Sequence, residues 1–112
     1  MAINRELWID ALRRWQETAP EESLITAVRF NEWSNDGPVR MALYPGYLVG
    51  SLRTRGREVE VHFLRGPGGE LIDVCSWCGP RAACRHSAGL AEWALKVQLA
   101  PKSLSNWPVI YT

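Results

Sequence analysis

The sequence predicts a small α+β domain: a three-stranded antiparallel meander runs into a metal-binding loop and then a helix, with a helical segment ahead of it. Three observations carry this reading. The stretch EVEVHF (58–63) alternates apolar and polar residues with period two, as a strand with one buried face does. The stretch LWIDALRRW (7–15) repeats its large apolar residues at helical spacing. The stretch CSWCGPRAACRH (75–86) gathers all three cysteines and one of the two histidines between an extended run and a helical one.

A chain of 112 residues suits one domain, and a domain of that size gains from a metal staple. Apolar residues make up 46% and the formal net charge is +1. No apolar run is long enough to span a membrane. The charged N-terminus lacks the apolar stretch of a secretory signal, so a cytoplasmic, reducing setting is expected. Three clustered cysteines also argue against a disulfide framework. Charge is uneven: residues 1–37 carry four arginines against seven acids, whereas residues 38–96 carry a formal +3.

The segment 1–37 reads as helical. Asn4 can cap a helix whose stripe is Trp8, Leu12 and Trp15, with Leu7 and Ala11 beside it, ending near Thr18–Ala19 ahead of Pro20. TAPEESL (18–24) carries a second start signal, with a proline and two acids in the first turn, and predicts a helix over 20–33. NDGP (35–38) is a turn.

The module spans 38–98. VRMALYPGY enters the sheet and breaks at Pro45–Gly46. LVGSL (48–52), EVEVHF (58–63) and ELIDVC (70–75) form the meander, joined by turns at 53–57 and 66–69. Val59, Val61 and Phe63 share one face of the middle strand, opposite Glu58, Glu60 and His62; Ile72 and Val74 share a face of the last. HSAGLAEWALKVQL then reads as a helix, with Leu90, Ala91, Ala94, Leu95 and Val97 on one side and a favourable Glu92–Lys96 pair, stopped by Pro101. Residues 99–112 form an extended tail.

The cluster has the spacing C-x2-C-x5-C-x-H. Structural zinc takes four thiolate or imidazole ligands in a tetrahedron. Cys75 and Cys78 can wrap one ion within a tight turn, and Gly79–Pro80 redirects the chain. Cys84 and His86, in extended geometry, point to the same side. Inert buried cysteines do not suit a loop of Gly, Pro, Arg and Ser. A Cys75–Cys78 redox pair lacks a βαβ context, and an iron–sulfur cluster normally takes four cysteines. One structural Zn²⁺ on Cys75, Cys78, Cys84 and His86 is therefore expected. His62, on the polar face of its strand, is expected to be a surface residue.

On these residues the chain resembles the SWIM zinc finger, a family of two or three strands, C-x-C, a variable spacer, C-x-H and a helix with an alanine-rich start. The matching text is residues 47–95, with CRHSAGLAEW carrying most of it. Two features differ from the family pattern: the first pair is C-x2-C and the spacer has five residues. The resemblance implies metal ligands at Cys75, Cys78, Cys84 and His86. It implies a non-catalytic module that binds DNA or proteins, of the kind that accompanies Mutator-type transposases, Swi/Snf-type ATPases and partners of recombinase paralogues.

No paired carboxylates, phosphate loop or catalytic triad stands out, and four protein ligands leave zinc no position for a catalytic water, so no enzyme activity and no small-molecule substrate are expected. Arg53, Arg55 and Arg57, with Arg81 and Arg85 in the metal loop, can form a phosphate-binding surface for nucleic acid, or can simply keep the loop soluble and balance its charge. The six tryptophans support a protein-interaction reading, with Trp77 and Trp107 in loops as anchors for a partner or for self-association, and the N-terminal helix can also pair two copies of the chain; the same rings can instead cover the metal site and core, as expected of Trp8, Trp15 and Trp93.

Overall fold

The computed structural model describes residues 5–29, 33, 39–44, 46–79, 83–98 and 109–111. The first two helices are α1 (Arg5–Thr18) and α2 (Glu21–Arg29). α1 stops where the sequence requires, before Pro20, and α2 opens with Glu21 and Glu22 at its positive end. The strands are β1 (Val39–Leu43), β2 (Tyr47–Thr54), β3 (Arg57–Arg65), β4 (Leu71–Cys75) and β5 (Val109–Tyr111). A third helix, α3 (Arg85–Trp93), continues into a π-helical turn, Ala94–Gln98. The domain is α+β, as expected.

The sheet is larger than the predicted meander. Its order is β4-β3-β2-β1-β5; β1 to β4 pair antiparallel, and β5 adds parallel to β1. The tail residues 109–111 thus form an edge strand. The β2–β3 turn is narrower than the expected 53–57: Thr54 pairs with Arg57, and only Arg55 and Gly56 form the loop, at φ 51 and 74. Positive φ at both central residues matches the twist of a two-residue hairpin. Arg53 and Arg57 therefore belong to the strands.

The inner face of the sheet and the helices enclose one core. Period two on β3 buries Val59, Val61 and Phe63, and β1 and β2 add Met41, Leu43, Leu48 and Leu52. From the helices come Trp8, Leu12, Trp15, Leu90 and Trp93, all buried, so these three tryptophans are core residues; Trp33 joins them. Leu7, placed beside the α1 stripe by spacing, is instead exposed. Trp15 meets Phe63 edge to face at 4.9 Å. Each fully buried large side chain contributes about 1.5–3 kcal/mol. Gly50 lets α3 approach: a Cβ there would lie 2.7 Å from Leu90 Cδ2.

β4 has an unexpected polarity. Ile72 and Val74 do share a face, but it is the outer one, where both are exposed beside Leu64. The inward positions are Leu71, Asp73 and Cys75. This parity is required, because Cys75 must turn inward to reach its cluster and the period of a strand carries Asp73 with it. No helix among the described residues is long and apolar enough to cross a membrane.

Candidate metal centre

The site is built where β4 ends and α3 begins. After Cys75 the chain makes a tight turn, with Gly79 N donating to Cys75 O at 2.9 Å and Gly79 at φ 74. Ser76 fastens this turn to β3: its amide donates to Glu60 O, and its hydroxyl accepts from Glu60 N, both at 2.8 Å. Cys78 is thereby held across from the start of α3.

Cys84 is the N-cap of α3, with extended backbone (φ −70, ψ 170), and its Sγ accepts the Ser87 amide at 3.4 Å. The helix starts at Arg85, so Cys84 and His86 are not two positions of one extended segment as their spacing had suggested. Cys84 reaches the cluster from the cap and His86 from the first helical turn. The helix N-terminus also favours negative charge on the capping sulfur.

The ligand atoms of Cys75, Cys78, Cys84 and His86 all lie within 4.8 Å of one another, and this is the one such group of metal-binding side chains among the described residues. His86 Nδ1 is 3.6 Å from Cys75 Sγ and 3.4 Å from Cys78 Sγ. Tetrahedral bonds of about 2.3 Å to sulfur and about 2.0 Å to nitrogen set those atoms roughly 3.5 Å apart. The donors therefore fit around one ion. All three cysteines are free thiols, with Cys75 and His86 buried and Cys78 and Cys84 half-buried. The Cys84 thiol is pushed down to about 3, chiefly because the Cys75 thiol donates to its sulfur. The same bond and burial push Cys75 up; burial, then the charge on Cys84, push Cys78 up.

Three residues not singled out by the sequence support the cluster. Asp73, buried, accepts the Trp15 indole N–H at 3.3 Å through Oδ1 and the Ala83 amide at 2.7 Å through Oδ2. Trp33 donates its indole N–H to His86 O at 2.9 Å. Ser87 provides the cap bond to Cys84. Only Asp73 had a readable signal, an acid two residues before a ligand and on the same strand face.

The arginines divide. Arg57 lies over the Trp77 ring, 4.8 Å from its centroid, and Trp77 packs on His86 at 5.5 Å. Trp77 is half-buried and covers the cluster. Arg55 is exposed at the hairpin tip and Arg85 is exposed at the start of α3, whereas Arg53 sits on the outer face opposite Glu58. Arg81 and Trp107 lie outside the described residues. His62 stays out of the cluster, its Nε2 2.8 Å from Glu60 Oε1 on the outer face.

Family models, curated proteins and solved structures were all compared with the chain, and none matches.

Proposed function

We propose that the chain is a SWIM-like zinc-binding module whose metal fixes a basic surface that contacts nucleic acid. The single observation that carries this is the run from Arg57 to Trp77 to His86, which joins the arginine hairpin to the metal loop. Three thiolates and an imidazole are the donor set of a structural zinc site. Zinc held by Cys75, Cys78, Cys84 and His86 would supply a rigid structural cross-link and no reaction chemistry; a closed set of four ligands suits a non-catalytic role. The ion would hold Arg57 and Arg85 relative to the hairpin tip, where guanidinium groups can take phosphate oxygens in pairs.

A salt titration of DNA binding tests this. Each duplex phosphate neutralised should steepen the slope of log affinity against log salt by roughly 0.9. Arg55→Glu with Arg57→Glu should weaken binding about equally on all sequences, flatten the slope and leave metal content unchanged. Unchanged affinity in the double variant, or no salt-sensitive binding by the wild type, rejects the nucleic-acid reading.

One observation favours a second reading, a protein-interaction adaptor without DNA contact: Leu64, Ile72 and Val74 are exposed side by side on the outer face. Contiguous apolar surface is a mark of protein contact. A wild type that shows no salt-sensitive DNA binding but associates with a partner protein, with Ile72→Lys abolishing that association, would favour it; association retained in Ile72→Lys would reject it.

A further inference from the structure

Resting on the metal-binding reading above, we infer that Asp73 is the positioning residue of the metal loop, and that through Trp15 it couples the loop to α1. Asp73 is 5% exposed, so its carboxylate depends on protein donors in place of water. Its two oxygens take two N–H groups from different parts of the chain: the Trp15 indole of α1 at 3.3 Å and the Ala83 amide of the metal loop at 2.7 Å.

The Ala83 bond bears on ligand geometry. Ala83 has φ 56, a left-handed conformation that disfavours a residue with a Cβ. The residue that follows is Cys84, at once a member of the cluster and the N-cap of α3. A rotation at Ala83 would swing the Cys84 sulfur and the first turn that carries His86. The carboxylate fixes the Ala83 amide and so fixes both. It can do so because Asp73 and Cys75 share the inward parity of β4, which sets the carboxylate beside the ligand two residues on. The other oxygen ties the same carboxylate to α1, so placement of the loop and docking of α1 share one anchor.

The test uses the full chain, titrated with Co²⁺ followed by its thiolate absorption, and with Zn²⁺ against a chromophoric chelator. In Asp73→Asn the side-chain oxygen can satisfy one donor while the amide NH₂ faces the other. Metal affinity should fall about 10–100-fold. With saturating Zn²⁺ the circular dichroism should be retained, while α1 amides around Leu12–Trp15 exchange faster. Adding Ala83→Gly to Asp73→Asn should restore part of the lost affinity, since glycine adopts positive φ without support. Wild-type affinity in Asp73→Asn, or no recovery in the double variant, overturns the inference. If Asp73→Asn does not fold even with Zn²⁺, Trp15→Phe is read instead: it deletes the α1 donor, together with part of the ring packed on Phe63, and should speed α1 exchange with a smaller loss of Co²⁺ affinity. Unchanged exchange there overturns the coupling. A wild type that binds neither ion rejects the metal reading and this inference together. Metal binding by the wild type with an insensitive Asp73→Asn rejects the inference alone.

Discussion

The guanidinium of Arg57 sits 4.8 Å from the centroid of the Trp77 ring, so the hairpin and the metal loop meet through a cation–π contact. Trp77 in turn packs on His86. Arg57→Ala should therefore lower the unfolding free energy of the zinc-loaded chain by about 0.5–1 kcal/mol. Trp77→Ala should cost more, because it also strips the cover from His86. Urea midpoints of the two variants check this; a Trp77→Ala chain as stable as wild type would assign the ring to a partner surface instead.

Gly50 is the point of closest approach between β2 and α3. A methyl group there would meet Leu90 Cδ2 at 2.7 Å and Leu90 Cδ1 at 2.8 Å, and Leu90 is fully buried. Gly50→Ala should destabilise by about 1–3 kcal/mol through overpacking. A thermal melt identical to wild type would mean that α3 does not press on β2 as described.

Much of this was legible in the sequence for a physical reason: local periodicity reports which face is buried. Val59, Val61 and Phe63 announce the inward face of β3, and Trp8, Leu12 and Trp15 that of α1. The ligand set was legible because cysteine and histidine have few other uses at that spacing. β4 misled by being apolar on its outer side: Ile72 and Val74 are exposed, and the inward face carries an aspartate whose indole and amide donors are remote or hidden in backbone. β5 could not be read, because its pairing partner, β1, lies far away in the chain and no local signal encodes a parallel addition. The width of the arginine turn was also illegible, since nothing in the residue type marks Arg55 for positive φ.

Metal binding should depend on pH. The three cysteine ligands must be deprotonated to hold the ion, and a thiol in the metal-free, unfolded chain is mostly protonated at neutral pH. Affinity should then rise with pH through the neutral range, and acid should release the metal. Chelator competition at several pH values measures the slope; a flat profile would contradict thiolate ligation by Cys75 and Cys78.

On the proposed function, one zinc ion, held by Cys75, Cys78, Cys84 and His86, is required for this fold. Structural zinc contributes roughly 10–16 kcal/mol of apparent binding energy in finger peptides, comparable with the about 5–15 kcal/mol that stabilises a typical domain. Native mass spectrometry of the purified chain, with circular dichroism on the same sample, is the most direct test. The expected result is one zinc per chain, with loss of both zinc and α3 helicity on chelation or in Cys84→Ser. A metal-free chain that keeps its helices and its cooperative melt would contradict it.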